Sequence, residues 1–229
     1  MRKVFRAHLA YLLTKTNLLI LFFVLLLSFL GFSEAGLALD AEELPRMNNL
    51  YFFENSFFLL KLIAAFTSIF TFSHAFSKRS DQYSELFFVR GVSRSGHFFS
   101  KIIILSVYVV YFLLLEFALY LVSGSIFLER FSPYARPFIR LYWLSLYYGF
   151  LGLAFMQIFK NIYSVILPFI LFIAGMIINE NEGKFRSFYN LLFPNFLSDK
   201  PEFLHGWLHM LMLASLLLFN LWLYLSRDS

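Results

Sequence analysis

Apolar residues run along this chain in long unbroken stretches rather than in alternation, and polar residues gather in short pieces between them. A helix that crosses a membrane needs about 20 mostly apolar residues. Six stretches reach that scale, at about 14–33, 56–76, 99–123, 140–158, 162–179 and 205–225. Membrane strands would alternate at every second residue, so the continuity of each run points to helices. The pattern predicts an all-α membrane protein with six transmembrane helices, built as a single transmembrane domain over 1–229 with no internal repeat.

The connecting pieces carry expectations of their own. Residues 1–13 combine Arg2, Lys3 and Arg6 with apolar neighbours, which suits an amphipathic helix lying at the membrane surface. The following run from Asn17 to Phe32 exceeds a signal-peptide core, and Ser33 to Gly36 makes a poor cleavage site, so the first span is read as retained. Loops of about 22, 16 and 25 residues follow the first, third and fifth spans, whereas the fourth connection is little more than Phe159 to Asn161. Within the last long loop, FYNLLFPNFL (Phe188 to Leu197) is too apolar for a solvated tether. It predicts an outer hairpin over 186–200, bent at Pro194.

Composition agrees with a bilayer as the main solvent. Of 229 residues, 60% are hydrophobic and 14% charged, against roughly 45–50% and about 25% in soluble domains. There is no Cys, which removes disulfides, thiolate metal sites and cysteine nucleophiles. The net charge of +5 is spread by side rather than clustered. With the amino terminus in the cytoplasm, eleven Lys and Arg fall in cytoplasmic pieces, from Arg2 through Lys101 to Arg227, seven fall outside, and Lys61 sits within a span. That bias places both termini in the cytoplasm. Glu34, Asp40, Glu42, Glu43 and Glu54 crowd the first outside loop. No basic arm interleaved with polar readers occurs, so membrane lipid is an expected partner and nucleic acid is not. The expected location is a cell membrane, as a multi-pass protein of the bacterial plasma membrane.

The segment 78–97, from KRSDQYSELFFVR to GVSRSGH, stands apart from the other connections. Ser80 and Asp81 suit a helix start and Gly91 a helix end, so Asp81 to Arg90 forms about two and a half turns. Tyr83, Leu86, Phe87 and Arg90 share one side, and Glu85 lies on the other. Such a surface presses apolar knobs into a soluble partner and pairs charges at its rim. Ser93 then caps the helix that becomes the third span. The glycine spacing Gly91 to Gly96 matches the opening of a phosphate-binding loop, but His97 and Phe98 stand where Lys and Ser or Thr are required, so ATP is not expected on this chain.

This segment resembles the loop between the second and third spans of type-2 ABC-transporter permeases. Arg79, Glu85, Leu86, Val92, Ser93, Arg94 and Lys101 stand in places matching that family's run of basic, acidic, Leu-rich, Val-Ser-Arg and distal Lys positions. Gly91 takes the usual proline place, and Gln82-Tyr83 replaces a small Gly-Thr pair. The resemblance implies a cytoplasmic coupling helix between spans two and three, with Asp81, Tyr83, Glu85, Leu86, Phe87, Arg90 and Arg94 facing an ABC ATPase subunit. It further implies that ATP and magnesium are held by that partner, that this chain binds no cofactor, and that a second permease copy or a related permease completes the pathway. The function implied is the permease subunit of an ATP-driven exporter. The abundance of Phe and Tyr favours an amphipathic or hydrophobic cargo: peptide, lipid or drug.

Remaining chemistry-bearing residues are few. Lys61 and Glu116 stand at comparable depth in the second and third spans, where an ion pair, a pathway lining and a snorkelling Lys61 are the alternatives. His205 and His209 have zinc-like spacing, but Gly206 occupies the place of the zincin glutamate, so no metal is expected. EELPR at Glu42 to Arg46 departs from the paired-glutamate motif of intramembrane proteases. Two other functions stand as alternatives to the exporter: a six-span substrate-binding subunit of an uptake system, read from the acidic outside loop, and an intramembrane hydrolase.

Overall fold

The computed structural model describes residues 15–39, 45–77, 91–180 and 203–226. They form six helices and no strand: α1 Lys15–Leu37, α2 Pro45–Ala75, α3 Arg94–Phe127, α4 Arg136–Phe159, α5 Tyr163–Glu180 and α6 Phe203–Leu225. Five of these, all but α5, are long and apolar enough to cross a membrane, the build of a multi-pass membrane protein. The interfacial segment 1–13, the outer hairpin 186–200 and residues 78–90 of the coupling segment lie outside the described residues.

Three of the helix ends have identifiable causes. Ser93 caps α3 in extended conformation, its Oγ accepting from the Gly96 N–H at 3.1 Å. Pro137 sits in the first turn of α4, where its missing N–H costs nothing. Lys160 ends α4 in the left-handed region at φ 57° and turns the chain directly into α5.

The helices alternate in direction. We call the end that carries Ala75 and Arg94 proximal and the opposite end distal. Gly36 at the end of α1 packs against Phe127 at the end of α3, so α1 finishes distally. Tyr224 meets His97 and Phe98 at the start of α3, so α6 finishes proximally. The first and last described helices therefore have their outer chain ends at the same end of the bundle.

The most extensive contact joins α2 to α4, with α5 and α6 lying against α4 and with α1 held by α2 and α3. Small residues bring α2 and α4 together: Ala64, Ala65 and Ser68 on α2, Ser145, Gly149 and Gly152 on α4, all buried. Aromatic rings fill the distal core, where Tyr120 lies 5.4 to 6.3 Å, ring to ring, from Phe131, Phe138, Phe52 and Phe32. On α1, Leu19, Phe22, Phe23, Leu27 and Leu30 point outward, as a lipid-facing helix requires.

Two connections are shorter than the apolar runs predict, and the one after α3 is 128–135 rather than about 16 residues. α2 starts at Pro45, eleven residues before the run at 56, so the connection after α1 is 38–44 rather than 22 residues. Asn49 explains the extension. It is buried, donates to the Pro45 and Arg130 carbonyls at 2.9 and 2.7 Å, and accepts from the Ser132 N–H at 2.8 Å. One amide thus bonds back to the first turn of its own helix and pins the α3–α4 turn. Glu34 and Glu54, expected in the acidic loop, are exposed residues of α1 and α2 instead.

Candidate functional site

A helix leaves its last carbonyls without intrahelical donors. At the C-terminus of α2 the missing donor comes from Lys101, two turns into α3, whose Nζ donates to the Ala75 carbonyl at 3.1 Å. The same ammonium lies 4.7 Å from the centroid of the Phe76 ring. Lys101 is 5% exposed, and its charge is met by the negative end of α2 and an aromatic face. By its place in the chain Lys101 belongs with the cytoplasmic loop charges. Its long stem instead reaches across to the neighbouring helix end, so it is a buried cap.

A second tie runs to α6. His97 Nδ1 and Tyr224 Oη are hydrogen-bonded at 2.9 Å. The rings of Phe76, Phe98 and Tyr224 close around them, with centroids 5.4 to 5.8 Å apart in each pair. The two ends of the 78–90 link are thus joined to each other and to a third helix.

Of the coupling residues, Asp81, Tyr83, Glu85, Leu86, Phe87 and Arg90 lie outside the described residues, and Arg94 opens α3 as an exposed side chain. Gly91 has φ 79°, a left-handed backbone that glycine adopts without strain. The Gly96 amide, which a phosphate loop would aim at its ligand, is taken by Ser93, and His97 and Phe98 are buried. The glycine spacing serves a turn and a cap.

Comparison with protein-family models, curated proteins and solved structures gives no match.

Glu116 and Lys61 are placed differently from the pair that their depth suggested. Glu116 is fully buried, and its Oε1 is 2.8 Å from Ser28 Oγ of α1. Its Oε2 has no hydrogen-bond partner among the described residues. Lys61 is half-buried, its Nζ 5.5 and 6.0 Å from the ring centroids of Phe58 and Phe57. The side chain that meets the carboxyl is a serine of α1, one helix away from the position expected.

A third polar set was not foreseen. Gln157 Nε2 on α4 donates to Asn220 Oδ1 on α6 at 3.0 Å, and Asn220 Nδ2 donates to the Phe150 and Leu216 carbonyls at 3.0 and 2.8 Å. Its signal was present as single amides inside the apolar runs 140–158 and 205–225, where a polar residue seeks a neighbouring helix. Among the described residues no three His, Asp or Glu gather as a metal-ligand set.

Proposed function

We propose that this chain is the permease subunit of an ATP-driven exporter of the type-2 ABC class, with six spans, both termini in the cytoplasm, and ATP and magnesium held by a separate ATPase. The helix formed by Asp81 to Arg90 docks on that ATPase. Two copies, or one copy and a related permease, enclose the path of an amphipathic or hydrophobic cargo. The chain itself is not the enzyme.

The observation that carries this reading is the proximal junction. Lys101 on Ala75, His97 on Tyr224 and the Phe76–Phe98 contact bind the start and finish of the 78–90 link into the bundle. A push on that link enters α2 and α3 together, the two longest helices at 31 and 34 residues, and reaches α6 as well. Such a rigid connection suits a subunit that receives mechanical work from a partner.

Co-purification of the full chain with candidate ATPases, comparing wild type with Phe87→Asp, is the test. A charge in place of an aromatic anchor is expected to abolish stable assembly and to lower stimulated ATP hydrolysis by at least about tenfold. Unchanged assembly and unchanged stimulation would remove the proposed docking surface.

A further inference from the structure

Ser28 and Glu116 meet where α1 crosses α3, and neither has any exposed surface. Ser28 Oγ stands 2.8 Å from Glu116 Oε1 and 3.2 Å from the Val24 carbonyl. If Glu116 is ionised, both neighbours are acceptors, and a serine hydroxyl carries a single hydrogen. It cannot fill both bonds. A proton on Glu116 Oε1 resolves the conflict: the acid O–H donates to Ser28 Oγ, and the Ser28 O–H donates to the Val24 carbonyl. Each hydrogen then has one acceptor, and the chain ends on a backbone oxygen.

The other carboxyl oxygen points the same way. Glu116 Oε2 is buried with no hydrogen-bond partner among the described residues. Half of a carboxylate charge left bare in an apolar interface is far costlier than a neutral carbonyl oxygen in the same place. Ionisable side chains of the packed helices have other surroundings. Lys61 of α2 lies against Phe57 and Phe58. Tyr120, one turn on in α3, is packed among Phe32, Phe52 and Phe131, and Lys101 is about four turns away at Ala75. From α4, Tyr142 is half-buried, and on α1 Glu34 is exposed beyond the crossing.

We propose that Glu116 is a proton-binding site, a neutral carboxylic acid that hydrogen-bonds α3 to α1 through Ser28. Losing that proton leaves the one Ser28 hydrogen to two acceptors, Glu116 Oε1 and the Val24 carbonyl, and places a charge in the crossing. α1 is the helix that yields, because it is held through a narrow stripe of Leu21, Ser28, Phe32 and Ala35 while its other faces are largely bare. The inference stands apart from the transport reading and survives its failure.

The test is infrared spectroscopy of the full chain reconstituted in lipid at neutral pH, with glutamate isotopically labelled at the carboxyl carbon. A protonated-carboxyl C=O band is expected in wild type, lost in Glu116→Gln and moved to higher frequency in Ser28→Ala, where the acid loses its acceptor. Ser28→Ala keeps the carboxyl and decides the matter even if Glu116→Gln does not fold. Absence of the band in wild type, its survival in Glu116→Gln, or its indifference to Ser28→Ala each overturns the proposal.

Discussion

Asn220 uses its whole amide inside the bundle. Its Nδ2 serves two carbonyls, its Oδ1 accepts from Gln157, and the residue has no exposed surface. Replacing it with Leu takes the Oδ1 acceptor from the buried Gln157 amide, which keeps only the backbone carbonyl at position 220, 3.2 Å away, and takes the Nδ2 donor from the Phe150 carbonyl. Hydrogen bonds between membrane helices average about 0.6 kcal/mol and reach about 1.7, so Asn220→Leu is expected to lose about 1–2 kcal/mol in SDS-driven unfolding from mixed micelles. The double substitution with Gln157→Leu should lose less than the sum of the two single changes, because either one alone already breaks the bond between the two side chains. Strict additivity would show that the amides act independently. The same scale explains what was legible at Glu116. Glu116 announced itself as a charge within an apolar run, but Ser28 gave no signal, since a helical serine can satisfy itself on the carbonyl four residues back, as Ser28 also does with Val24. Depth along a helix is readable from sequence, but the side of the helix that a neighbour covers is not. Hence the carboxyl was found and its partner was missed.

Between elements, the most extensive contact is that of α2 and α4. A methyl group added at Gly152 would stand 2.9 Å from Ser73 Oγ and 3.0 Å from the Ile69 carbonyl oxygen, a backbone atom that cannot swing aside. At Gly149 the nearest atom, also at 2.9 Å, belongs to the Phe72 ring, a side-chain group with some freedom to turn. Gly152→Ala is therefore expected to be the more destabilising change, at roughly 1–3 kcal/mol as for other overpacked contacts, with Gly149→Ala below it. Thermal unfolding in detergent measures the order, and the reverse order would mean that α2 can slide along α4. Helix existence was plain in the sequence because apolar runs of this length have few other uses. Helix ends were less plain. A hydropathy run stops at the first polar cluster, yet Asn48, Asn49 and Glu54 lie within α2, since Asn49 is consumed by the α3–α4 turn and Glu54 faces outward. The polar residues that shortened the run are the ones that hold the loop.

For the whole molecule, the number of crossings turns on α5, the shortest of the six described helices. Its 18 residues span about 27 Å, slightly under the roughly 30 Å of a hydrocarbon core. α2 and α4 shelter it through Phe66–Phe169 and Tyr148–Phe172 ring contacts at 5.3 and 4.9 Å. A short helix enclosed by longer neighbours can cross where the bilayer thins locally. The absence of Cys makes the chain its own background for single-thiol labelling. Six crossings predict that Cys at Ser80 and Ser229 is shielded from an impermeant maleimide in intact cells, and that Cys at Arg46, Glu129 and Lys184 reacts. Were α5 to turn back, Lys184 would join the shielded set and Ser229 would become reactive, because one crossing fewer inverts everything after it. The two arrangements differ in the tail and agree at Ser80, whose shielding the ATPase reading requires in either case. A reactive Ser80 would put the 78–90 link on the side of the membrane where no ATP is supplied, and the junction built by Lys101 and His97 would then brace the bundle without receiving work from a cytoplasmic motor.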